Sequence, residues 1–173
     1  KEVGHNQEAA KELKELLGAA DIFDNPKPTK LLSKIFEIAT KENDIILDFF
    51  AGSGTTGHSV VKLNNQQLAH RKFILVQIPE FTDKKSPAYK AGYKTISEIT
   101  IARNKAVVER YQKESEGKIL DEEYKQQLNQ LGFKVFTLSK SSFPRTDFTP
   151  DPTKNEEENL ALFHDYIKEK ERQ

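Results

Sequence analysis

Asp44-Ile45-Ile46-Leu47-Asp48-Phe49-Phe50-Ala51-Gly52-Ser53-Gly54-Thr55-Thr56-Gly57-His58 is the stretch that leaves this chain the fewest choices of fold. Ile45, Ile46 and Leu47 form a short apolar run of the kind buried in a parallel sheet. Gly52 and Gly54 allow a sharp backbone turn and a close approach to a ligand with no Cβ in the way. Thr55 and Thr56 are predicted to cap a following helix that runs to about Leu63. The N–H groups at that helix start are expected to be exposed and to favour an electron-rich ligand.

A second strand is predicted over Phe73-Ile74-Leu75-Val76-Gln77-Ile78, which is almost continuous apolar β-former. Strand, helix, strand at this spacing is a βαβ unit, and ligands in such folds bind at the strand C-termini. Gln77 and Glu80 are then in reach of a ribose.

Two ligand classes use such a glycine turn. Gly52, Gly54 and Gly57 fit the dinucleotide spacing, but that fold places an acid about 20 positions later, and the position here is Gln77. No Gly-Lys-Ser or Gly-Lys-Thr follows, which excludes a phosphate-binding P-loop. Asp48 at the strand end suits a ligand carrying a cationic or amino group, so an amino-acid-containing cofactor fits better than a pyrophosphate. A nicotinamide-dependent oxidoreductase fragment remains the alternative, as does a scaffold that keeps the fold without the donor site.

The loop Asp48 to Thr56 resembles the cofactor-binding loop of the amino-methyltransferases that modify adenine or cytosine in DNA. Phe23-Asp24-Asn25-Pro26-Lys27-Pro28-Thr29-Lys30-Leu31-Leu32 is similar to the Lys-Pro element just upstream of that loop in one permuted subgroup. In this order the pair most resembles the modification subunit of type III restriction–modification systems, an adenine-N6 methyltransferase, and the likeness runs from about Ala10 to Asp147. Adenine is preferred over cytosine because Gly132-Phe133-Lys134-Val135-Phe136 to Phe143 also looks like the region that follows in those subunits.

The resemblance implies an α/β, Rossmann-like S-adenosylmethionine-dependent methyltransferase fold, partial, three-layered and mainly parallel. It implies S-adenosylmethionine as cofactor, held by Asn25, Lys27, Pro28, Asp48, Phe50, Ala51, Gly52, Ser53, Gly54, Thr55, Thr56, Gln77 and Glu80, with Lys27 near the cofactor carboxylate. The ribose contact is Gln77 or Glu80, since the family usually has an acid near this point.

Base methylation also needs an Asp-Pro-Pro-Tyr type tetrapeptide, to polarise the amine and stack on an extruded base. The nearest stretches, Asp151-Pro152-Thr153-Lys154 and Asn25-Pro26-Lys27-Pro28, lack a second proline followed by an aromatic ring. In the permuted subgroup that element and the DNA-recognition region precede the cofactor loop. The chain is therefore expected to be the C-terminal, cofactor-binding half, inactive alone, with no catalytic residue of its own and one sheet edge left for the missing half. Its expected partners are that half, DNA through the full-length protein, a restriction (helicase/nuclease) subunit and a second modification subunit.

Composition sharpens this. The 173 residues carry 27 basic and 27 acidic side chains, so the chain lacks the basic excess of a module that grips DNA alone. There is no methionine, even at position 1, which is expected of a portion of a longer product. Without cysteine, neither disulfides nor thiolate chemistry is available, which is compatible with the cytoplasmic setting the resemblance implies. No apolar run approaches membrane-spanning length, and the four histidines form no metal-ligand pattern with the acids.

The rest of the chain reads as supporting structure. A helix is predicted over 6–20, with Asn6 as N-cap and Leu13 and Leu17 inward. Another starts at Pro28 or Thr29 with Leu31, Leu32, Ile35, Phe36 and Ala39 as its apolar face. Thr95 and Glu98 form a capping box for a long helix that buries Ile96, Ile99, Ala102, Ala106 and Val107 and turns Arg103, Lys105 and Arg110 to solvent. Asp121 caps a helix ended by Gly132, and Phe133–Leu138 is expected to be a third strand. The methyltransferase part is expected to span 1–147, and 148–173 to be an irregular linker and an amphipathic helix with Leu160, Phe163 and Ile167 on one face.

Overall fold

The computed structural model describes residues 4–140 and 148–171. Phe143, Pro144 and the expected boundary at 147 lie outside the described residues. The elements run α1 (Asn6–Leu17), α2 (Thr29–Ala39), β1 (Ile45–Asp48), α3 (Thr55–Gln67), β2 (Lys72–Leu75), α4 (Pro87–Lys90), α5 (Ile96–Ser115), α6 (Glu122–Gln130) and α7 (Glu156–Glu171). They fall into two compact units, Lys1–Val135 and Phe136–Gln173.

In the first unit β1 and β2 pair in parallel, Ile45 opposite Lys72 through Asp48 opposite Leu75, with α3 as the crossover. This is the predicted βαβ arrangement, reduced to two strands. Phe133–Leu138 is not a strand: Val135, Phe136 and Leu138 are exposed, and the Phe133 ring lies 6.5 Å from that of Phe73 in β2. A β-rich run becomes a strand only where a neighbouring edge accepts its backbone hydrogen bonds, and among the described residues no strand pairs with it.

The sheet's two faces differ. Ile46 is buried on the helix side, where Leu75 approaches Gly57 of α3. Side chains alternate along a strand, so Ile45, Leu47 and Ile74 share the other face, and all three are exposed. The expected third layer is therefore absent among the described residues.

α1 ends at Leu17 rather than at 20 because Gly18 takes the left-handed conformation (φ 73°) and its N–H bonds the Lys14 carbonyl. His5, not Asn6, is its N-cap. α2 begins at Thr29 as expected, but Ile35 and Ile38 on it are exposed. Leu13, Ile22, Ala88 and Ile99 form the apolar core, where each buried Leu or Ile contributes about 1.5–3 kcal/mol. The Thr95–Glu98 capping box forms as the sequence predicts. Asp121 caps α6 by accepting from the Tyr124 N–H, and that helix stops at Gln130, ahead of Gly132.

In the second unit, α7 carries Phe163 and Tyr166 against Phe148, with ring centroids 5.3 and 5.9 Å apart. Among the described residues no helix is long and apolar enough to cross a membrane.

Candidate functional site

The glycine loop sits where a βαβ fold offers a site, at the C-terminal end of β1. Gly52 and Gly54 both have positive φ (53° and 78°), which a residue with a Cβ adopts at a cost. The Asp48 carboxylate closes the loop on itself. One oxygen accepts from the Phe50 N–H at 3.0 Å and the other from the Thr56 hydroxyl at 2.6 Å. A carboxylate has about four acceptor positions, so these bonds leave capacity for a ligand donor.

Beyond the end of β2 the backbone continues to bind the loop: the Val76 carbonyl accepts from Ala51 N–H at 3.1 Å. Gln77 accepts the Gly52 N–H at 2.7 Å, which holds the loop, and donates to the Ile78 carbonyl at 3.0 Å, which leaves one N–H of its amide for another acceptor. Glu80 is exposed at the same end of the sheet.

The structure departs from the sequence reading at the start of α3. Gly54 is the N-cap, and neither threonine caps the helix. Thr55, Thr56 and Gly57 are buried, so the N–H groups expected to face a ligand are covered by protein. Part of the glycine spacing also has a packing cause. A Cβ at Gly54 would lie 2.9 Å from the Thr100 carbonyl oxygen, and one at Gly57 would collide with Asn104 Oδ1. What stays open is the earlier part of the loop: Phe49 and Phe50 are exposed and Gly52 half-buried.

Helix α5 forms the floor. Thr100 donates its hydroxyl to the Gly52 carbonyl, and the Asn104 amide donates to the Gly54 carbonyl at 3.3 Å. Between them Arg103 is fully buried, although the sequence reading turned it to solvent. Its guanidinium donates to Ser53 Oγ at 3.0 Å, Thr55 Oγ1 at 2.7 Å and Glu12 Oε2 at 3.2 Å. It also meets His58 Nδ1 at 3.3 Å. The signal was present in the sequence: Arg103 lies four residues from both Ile99 and Val107, on the stripe that α5 buries.

Burial and the adjacent Arg103 charge lower the His58 pKa to about 3. His58 is therefore neutral near pH 7, and its 3.9 Å approach to Glu12 is not an ion pair. Burial also lowers the Arg103 pKa, to about 10, against the attraction of Glu12, so the guanidinium stays charged.

The Lys-Pro element lies beside this loop. A Cβ at Gly52 would come 3.1 Å from the Phe23 ring, so Phe23 walls the turn, a role missed in the sequence reading. Asn25 takes a left-handed conformation (φ 52°), which its short polar side chain tolerates. Pro26 and Pro28 are buried, while Asn25 and Lys27 are exposed. Two shallow depressions, one of about 290 Å³ near Glu114 and Tyr124 and one of about 880 Å³ near Thr40 and Arg71, do not include the glycine loop. Among the described residues no group of acids and histidines could hold a metal ion.

A loop of this sequence ends a parallel strand with the Lys-Pro element beside it, and residues 2–83 match the DNA methylase family model. Within that class, the resemblance to type III modification subunits holds over more than half of the chain. It is 46% identical over 101 residues to the Mod subunit of the type III restriction–modification enzyme StyLTI of Salmonella typhimurium, covering 58% of this chain and 15% of that one. It is also 46% identical over 95 residues to the EcoPI Mod subunit of Escherichia phage P1, covering 55% and 15%. To the type II methyltransferase M.KpnI of Klebsiella pneumoniae it is 38% identical over 99 residues, covering 57% and 24%. The chain thus spans 15% to 24% of the length of these relatives. These matches give no support to the oxidoreductase alternative.

Proposed function

We propose that this chain is the S-adenosylmethionine-binding part of a DNA adenine-N6 methyltransferase that works in a restriction–modification system. The observation that carries the reading is the loop Asp48–Thr56 itself. It has the family's sequence, it ends a parallel strand, and its outer part is open while its inner part is locked. S-adenosylmethionine, when bound, supplies an electrophilic methyl group.

The chain's own residues fit that ligand by the chemistry they offer. Asp48 presents a half-buried carboxylate to a cationic or amino group. Glu80, with its exposed carboxylate, and Gln77, whose amide keeps one N–H, are the two candidates for the ribose hydroxyls. Phe50 offers an exposed ring for apolar cover, and Lys27 an exposed ammonium for the cofactor carboxylate. Gly52, flanked by Ala51 and Ser53, lets the backbone run close beneath the ligand.

The element that polarises the target amine and stacks on the base is supplied, in this reading, by the remainder of a longer protein. That remainder also brings the DNA contacts and covers the open sheet face at Ile45, Leu47 and Ile74. A restriction subunit and a second modification subunit are the proposed protein partners, in a cytoplasmic assembly.

Calorimetric titration with S-adenosylmethionine, beside NADH as control, tests the donor site. The expected result is saturable binding of the sulfonium donor, weakened about tenfold or more by Asp48→Ala, as for loss of a charge-assisted contact. Binding of NADH in its place would overturn the reading. So would failure of S-adenosylmethionine to bind a longer protein that includes this chain.

A further inference from the structure

Five buried or half-buried polar side chains connect the two elements assigned to the cofactor, and most of them lie outside the residues that resemblance picks out. Thr29, at the first turn of α2 and directly after the Lys27-Pro28 pair, donates its hydroxyl to both oxygens of Glu12 at 2.8 and 2.9 Å. Glu12, on α1, accepts from Arg103 of α5 at 3.2 Å. Arg103 in turn donates to Ser53 and Thr55 in the glycine loop. The run from Thr29 to Ser53 therefore passes through three helices without a gap.

Thr29, Ser53, Thr55 and Arg103 have little or no exposed surface, and only Glu12 reaches water, with 26% of its side chain exposed. A buried guanidinium forks rigidly to several acceptors at fixed angles, so it defines distances between them in a way that an apolar contact does not. Losing one partner leaves the others buried and unsatisfied, which ties their positions to one another.

We propose that Glu12 and Arg103 form a positioning hub that sets the Lys-Pro element and the glycine loop at their working separation. Cofactor affinity then depends on side chains that are themselves shut away from the ligand. This inference rests on the S-adenosylmethionine reading above for its consequence in binding, but not for the coupling itself. Arg103 lies beyond the stretch that matches the DNA methylase family model.

The test separates coupling from local support. Arg103→Met leaves Glu12 without its cation and can unfold the protein, so Thr29→Val is the working variant: it keeps the shape and removes only the donor to Glu12. Hydrogen exchange on the ligand-free protein is read over residues 27–31 and 51–57. The expected result is faster exchange in both segments for Thr29→Val, and recovery in both with Thr29→Ser, which restores the hydroxyl. In the same variants, affinity for S-adenosylmethionine should fall roughly two- to tenfold with valine and recover with serine, the size of effect seen between residues sharing one network. Faster exchange confined to 27–31, with unchanged affinity, would overturn the hub, since Thr29 would then support only its own helix. If the unaltered protein does not bind S-adenosylmethionine at all, the donor reading fails, and the exchange measurement still decides the coupling.

Discussion

The two sides of the glycine loop are built on opposite terms. On the α5 side Thr55, Thr56, His58, Thr100, Arg103 and Asn104 are buried, and the loop carbonyls of Gly52 and Gly54 have donors. On the sheet side Ile45, Leu47, Ile74, Phe49 and Phe50 stand exposed. The closed side is held by buried polar contacts, although Asn104 Oδ1 has no hydrogen-bond partner, whereas the open side presents apolar groups. Exposed apolar clusters of this kind invite partners. The loop's shape is thus held by contacts within this chain, while its outer face and the neighbouring sheet face are left open.

The largest expected effect lies on the closed side. Arg103→Met should lower stability by about 3–5 kcal/mol, the cost of breaking a buried pair and leaving the other charge unmatched. Urea denaturation measures it, and a loss near zero would mean that the guanidinium network contributes nothing net.

Acid should expose the same side next. The His58 pKa is about 3 in the folded chain and near 6.5 when unfolded, so between those values the unfolded state binds the extra proton. Stability is then expected to be unaffected by His58 above about pH 6.5 and to fall as pH drops, at up to about 1.4 kcal/mol per unit, until about pH 3. Comparing denaturation between pH 7 and 4 with the His58→Gln variant checks this, since the variant should lose that share of the slope.

The smallest effect belongs to the open face. Ile45→Thr should change the stability of this chain by no more than about 0.5 kcal/mol, because Ile45 is already in water. In a longer protein that covers this face, the same substitution should cost about 1–3 kcal/mol, as for removal of a buried aliphatic group. Equal, small values in both would remove the contrast between the two sides.

Much of the site was legible from residue types alone. Strand, glycine turn and helix follow from an apolar run, two glycines and two threonines in sequence, because each of these acts on the backbone within a few residues. The Lys-Pro loop, the capping box at Thr95 and Glu98 and the Asp121 cap are local in the same sense. The extra strand at Phe133–Leu138 failed because pairing needs an edge that local preference does not supply.

Arg103 shows the remaining gap. Its position on the buried stripe of α5 could be counted, but a charged residue on such a stripe reads as solvent-facing until its partners are known. Those partners, Glu12, Ser53, Thr55 and His58, lie between 45 and 91 residues away in the chain. The sequence by itself determined the glycine turn, the order of the Lys-Pro element and the glycine loop, and the resemblance to DNA methylases. Only the tertiary structure decided which glycines answer to packing and that Gln77 holds Gly52. It also decided that Arg103 is buried against Ser53 and Thr55 of the loop. Turns and caps are set by neighbours in sequence, whereas burying a charge depends on groups that only the folded chain brings together.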